Sequence, residues 1–178
     1  MKTELSSLPG YSVCEYLLIL HPHQDLVEKI VKIKNEFYEK HKADNAKWGK
    51  PHITLVNFLQ LKMMEERIIN RLKMVAMATP EFKVELKDFG SFPSHTIYIN
   101  VESQASIQKL VKSIKPAQPL LRLKDKKPHF IDNPDITVAR KLQPWQFEQG
   151  WLEYSNKHFS GKFIAKSMTL LRKYEGMK

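Results

Sequence analysis

Two ten-residue stretches, PHITLVNFLQ at 51–60 and PDITVARKLQ at 134–143, align at an offset of 83 and share proline, isoleucine, threonine, leucine and glutamine. Each sets a polar residue two places before a threonine: His52 with Thr54, and Asp135 with Thr137. Side chains alternate across an extended strand, so each such pair faces one way and Ile53/Leu55 or Ile136/Val138 face the other. If the apolar pairs face helix-covered cores, two such strands related by an approximate twofold aim both polar pairs into one cleft. Lys50 has the parity of His52, and Lys141 that of Asp135, so both can border that cleft. Arg140 has the opposite parity unless the strand twists or bulges.

A symmetric cleft of this kind suits attack on phosphorus. One proton-transfer group deprotonates the nucleophile while another protonates the leaving oxygen. Threonine hydroxyls donate to the phosphoryl oxygens as negative charge builds there. The scheme needs neither metal nor cofactor, and the sequence offers no ligand cluster. The HPH at 21–23 lacks a third partner and reads as a turn into a helix, while His41 and His158 fall at helix ends.

The elements that must hold these residues follow from periodicity. Tyr11–Leu20 is rich in strand formers, and Leu26, Ile30, Ile33 and Phe37 recur at helical spacing through 24–41. A strand over 51–59, a helix near 64–78 and a half-exposed strand over 81–89 complete the first series. After the turn-like GSFPSH at 90–95 the order begins again, with a strand around 97–101 and a helix capped by Ser103. A Pro- and Lys-rich connection at 115–133 leads to a strand at 135–142, a helix opened by Pro144 and a last strand at about 160–172. The order strand–helix–strand–helix–strand thus occurs twice, with the matching decapeptides on the middle strand of each unit. That placement predicts an internal duplication within one bilobal domain spanning 1–178, with repeats at about 11–90 and 91–174.

Composition narrows the setting. The 178 residues suffice for one core without staples, and 42% hydrophobic with 27% charged residues is ordinary globular usage. Cys14, the single cysteine, excludes an internal disulfide framework, fits a cytoplasmic location and reads as a buried structural thiol. The apolar run Tyr11–Leu20 is too short to span a bilayer, so no membrane partner is expected. The net charge of +10, from 29 basic and 19 acidic residues, favours a polyanionic partner such as RNA. Trp48 and Phe92 could stack a base at a cleft rim, but core packing is the simpler expectation for both.

With these motifs in hand, the chain resembles the two-histidine (2H) phosphoesterase superfamily, in particular its bacterial 2′-5′ RNA ligase and cyclic phosphodiesterase branch. The family hallmark is His-x-Thr/Ser followed by a hydrophobic residue, once in each half. HITL at 52–55 matches it fully after WGKP, FGSFPSHTIYINV at 89–101 resembles the passage into the second lobe, and DITVAR at 135–140 resembles the second motif except at its first position. The resemblance runs from about Tyr11 to Leu171. It implies an α+β fold, bilobal, with antiparallel sheets flanking a central cleft and helices outside. It also implies metal-independent chemistry on 2′,3′-cyclic phosphates or 2′-5′ phosphodiester linkages of RNA or nucleotides; beside this we expect no cofactor and a monomeric protein. His52 and Thr54 inherit the first motif's catalytic roles and Thr137 the phosphate binding of the second, while Lys50, Arg140 and Lys141 are candidates for holding substrate.

Asp135 stands where the second histidine belongs. Its reference pKa of about 3.9, against about 6.5 for histidine, leaves an ordinary aspartate ionised near neutrality and unable to donate. Three readings follow. The protein is a slowed or altered phosphodiesterase driven by His52; or His129, from KKPHFIDNP, substitutes as the second group; or catalysis is lost and an RNA- or nucleotide-binding module remains on the same fold.

Overall fold

In the computed structural model, which describes residues 10–174, the chain alternates strands and helices much as its periodicity predicts. The first series is β1 (Val13–Leu20), α1 (Gln24–His41), the short α2 (Asp44–Lys47), β2 (Ile53–Leu61), α3 (Glu65–Ala78) and β3 (Phe82–Phe92). The second is β4 (Thr96–Val101), α4 (Gln104–Ile114), the short α5 (Gln118–Leu121), β5 (His129–Phe130), β6 (Asp135–Ala139), α6 (Pro144–Tyr154), β7 (Ser160–Ala165) and β8 (Thr169–Tyr174). The strand expected at 160–172 is therefore two strands, divided at Lys166–Met168.

That division matters because its halves serve different sheets. One antiparallel sheet has the order β5-β2-β1-β8 and the other β6-β4-β3-β7. The closing strand of each series thus pairs in the sheet started by the other: β3 lies beside β4, and β8 beside β1. Helices cross over as well. α1 follows β1 yet packs on β6, β7 and α6, whereas α4 and α5 pack on β2 of the other sheet. Each sheet therefore covers its apolar face with a helix borrowed across the molecule, giving a mixed α+β fold with helices outside two antiparallel sheets.

Local chemistry explains these boundaries. His23 precedes α1 and its Nδ1 accepts the Leu26 N–H at 3.4 Å, so the HPH turn acts as a cap. α6 opens with Gln143 and Gln146 in a reciprocal capping box and Pro144 in the first turn. Ser103 does precede α4 but does not cap it; its Oγ accepts the Glu85 N–H at 2.9 Å and ties β3 to this corner. On α6, Gly150 lies against Phe37 and Ile97: a Cβ there would come within 2.7 Å of the Phe37 ring, so glycine permits the close approach of α6 to α1. Cys14 is buried and free, as expected of a structural thiol.

The matching decapeptides adopt matching irregularities. Leu18 and Ile19 of β1 pair with Val56 and Thr54, leaving Leu55 as an extra residue in β2. Ile97 and Tyr98 of β4 pair with Ala139 and Thr137, leaving Val138 extra in β6. Leu55 and Val138 are equivalent positions of the two stretches. A bulge bends its strand and reverses the facing of everything beyond it. Ile53, Leu55, Ile136 and Val138 remain fully buried, and Val56 and Ala139 join them.

Candidate active site

β2 and β6 approach one another, and the cleft lined by residues of both strands has a volume of about 450 Å³. His52, Thr54, Asp135 and Thr137 all line it. So do Lys50, His129 and Arg140, whereas Lys141 does not. The bulge at Val138 is the reason: it turns Arg140 inward, while Lys141 is exposed with a left-handed backbone at φ 53°. The equivalent bulge at Leu55 turns Asn57 into the cleft, a residue that strict alternation would not select.

His52 sits just before β2, half-buried, with Nδ1 2.8 Å from the Lys50 carbonyl oxygen. A carbonyl only accepts, so Nδ1 carries the proton and neutral His52 keeps Nε2 as a free base. Burial holds the imidazole below its ordinary pKa; the Lys50 hydrogen bond opposes this, and the nearby positive groups His21, Lys34 and Arg140 reinforce it. The resting ring is therefore neutral near pH 7, the form that accepts a proton.

Asp135 behaves unlike an ordinary aspartate. Burial pushes its carboxyl up to about 6, with only partial relief from the Thr137 hydroxyl, which donates to Oδ1 at 3.4 Å. Desolvation penalises the carboxylate and moves the group toward the titration range of histidine, so a minor fraction of Asp135 carries a proton near neutrality where an ordinary aspartate carries almost none. Burial raises the phenol of Tyr98, which pairs with Thr137 across β4 and β6, and the Asp135 carboxylate adds to that rise.

His129 belongs to a strand rather than a free loop. β5 runs antiparallel to β2 with His129 opposite Asn57, and the Ile131 N–H reaches the carbonyl of the bulged Leu55 at 3.0 Å. The imidazole is exposed at the cleft wall. Trp48 and Phe92 are likewise exposed rather than packed in the core; Trp48 is 70% exposed and lines the cleft, while Phe92 tilts against Tyr98 at 4.7 Å.

Lys34 is a further cleft residue that the motif reasoning missed. It lies on the buried stripe of α1, between Ile30 and Phe37, and its ammonium donates to the Trp48 and Gly49 carbonyls at 3.0 and 2.8 Å. A lysine at a helical-core position was the available signal, since lysine is almost never buried without a reason. Among the described residues, no three His, Cys, Asp or Glu side chains gather into a group that could hold a metal ion, and no helix is long and apolar enough to cross a membrane.

The profile of the 2′-5′ RNA ligase superfamily matches residues 22–176, a span that includes both decapeptides. The crystal structure of E. coli LigT in its apo form is similar in fold, with a TM-score of 0.56 over 94% of this chain and 96% of that one, at 13% sequence identity. No curated protein sequence matches the chain closely enough to count as a relative. With the profile covering most of the chain, this protein belongs to the 2′-5′ RNA ligase superfamily.

Proposed function

We propose that the cleft is a phosphoesterase centre acting on 2′,3′-cyclic phosphates or 2′-5′ phosphodiester linkages of RNA or nucleotides, with His52 as the base and Asp135 as the acid. The observation that carries this reading is the opposite displacement of two proton-transfer groups in one cavity: His52 is held down in pKa and Asp135 is pushed up to about 6. Environments that displace two such groups in this way assign their roles. For hydrolysis of a cyclic phosphate, His52 Nε2 takes a proton from water as its oxygen attacks phosphorus. The bond from phosphorus to one ribose oxygen breaks, and that oxygen takes the carboxyl proton of Asp135. The products are a phosphomonoester and a free ribose hydroxyl, and a proton returned from His52 to Asp135 through solvent resets the site.

Phosphate itself assists the acid. An anion beside Asp135 disfavours the carboxylate and raises the protonated fraction further. Thr54, Thr137 and Arg140 would carry the non-bridging oxygens, and the net charge of +10 favours a polyanionic substrate.

The test is turnover of a 2′,3′-cyclic nucleotide with and without a chelator, alongside His52→Ala. Chelator-resistant turnover that falls about 10²–10⁴-fold in the variant is expected from loss of one acid–base group. Activity lost to the chelator, or retained by His52→Ala, would refute the assignment. Nucleotide binding without detectable turnover would instead make this a binding module on the same fold.

A further inference from the structure

Lys34 is only 6% exposed and lines the cleft, with its ammonium held at the carbonyls of Trp48 and Gly49, which line it too. Of the three donors on an ammonium, two are accounted for by the Trp48 and Gly49 carbonyls. No carboxylate pairs with Lys34 among the described residues. Burial lowers its pKa, and repulsion from the Arg140 guanidinium adds to this. Burying an ammonium costs free energy unless an anion or acceptors compensate it, and two backbone carbonyls leave the positive charge uncancelled. Glu15 and Asp135 also line the cleft, but Asp135 is stabilised in its neutral form rather than drawn into an ion pair.

We infer that Lys34 is a phosphate-binding residue, whose third N–H and uncancelled charge are completed by a phosphoryl oxygen of the bound substrate. The inference rests on reading the cleft as a phosphoester site, and it adds a cation from outside both sequence motifs. α1 carries Lys34 while packing on the sheet that holds Asp135, and Lys34 grips the residues leading to His52. One side chain thereby joins both halves of the site to the phosphate. Charge growing on the phosphoryl oxygens in the transition state would meet a cation already desolvated and fixed, with no reorganisation needed.

The experiment compares inorganic phosphate with adenosine as probes, following the Thr54 and Thr137 amides by NMR in the unmodified protein and in Lys34→Met. The expected result is a loss of phosphate affinity of about tenfold or more, the range for a charge-assisted hydrogen bond. If Lys34 only clips the Trp48–Gly49 turn, phosphate affinity stays unchanged and adenosine affinity alone falls, which overturns the inference. Should Lys34→Met not fold, the Lys34 side-chain ε-methylene resonance of the unmodified protein decides: a saturable shift with phosphate supports the inference, and no shift overturns it. Neither probe requires turnover, so phosphate held by Lys34 in a protein without activity would sink the enzyme reading while leaving this one standing.

Discussion

Asp135→Asn should make the protein more stable at alkaline pH and much slower in turnover. The carboxyl has a folded pKa of about 6 against a reference of 3.8, a displacement of roughly two units worth about 3 kcal/mol. Between those two values the folded state holds a proton that the unfolded chain has released, so stability falls as pH rises through the window. Above about pH 6 the whole penalty applies; below about pH 4 both states are protonated and it vanishes. Asparagine keeps the shape and can still accept from Thr137, but it never ionises. At pH 8 the variant should gain up to about 3 kcal/mol, an upper bound because solvent still reaches the half-buried group. For a chain of this length that is a rise of roughly 6–12 °C in Tm. Thermal or urea unfolding of both proteins at pH 8 and pH 3.5 measures it, and His52, present in both, cancels from the comparison. No gain at pH 8, or an equal gain at both pH values, would refute the buried carboxyl. Turnover should fall about 10²–10⁴-fold in the same variant, because an amide cannot donate as an acid.

Asp135→His, which sequence alone would favour as a repair worth tenfold or more, should change cyclic-nucleotide turnover by less than tenfold, since a carboxyl at about 6 already titrates near imidazole. His129→Ala assayed in parallel should stay within a few-fold of the unmodified protein; abolished activity would make His129 the second group. Arg140→Ala should raise KM for a phosphate-bearing substrate by about tenfold or more, and Lys141→Ala should leave it unchanged. Equal effects from these neighbours would mean that the bulge at Val138 does not turn the strand as described.

The repeated decapeptide, read only as letters, was enough to locate β2 and β6, to bury Ile53, Leu55, Ile136 and Val138, and to bring His52, Thr54, Asp135 and Thr137 to one cleft. Those outcomes depend on local alternation and on apolar pattern, which are properties of the chain itself. The helix over 24–41 was legible for the same reason. The exchange of β3 and β8 between sheets was not, because partner choice between strands depends on contacts distant in sequence. Nor were the bulges at Leu55 and Val138, which select Asn57 and Arg140 over their neighbours. Lys34 lies outside both motifs, and it lines the cleft only because α1 crosses to the opposite sheet and carries it there. The sharpest divide lies at Asp135. Sequence determined that a carboxyl stands at the second motif; only the packing around it decided that this carboxyl titrates near 6, because desolvation depends on what the rest of the chain places beside a group.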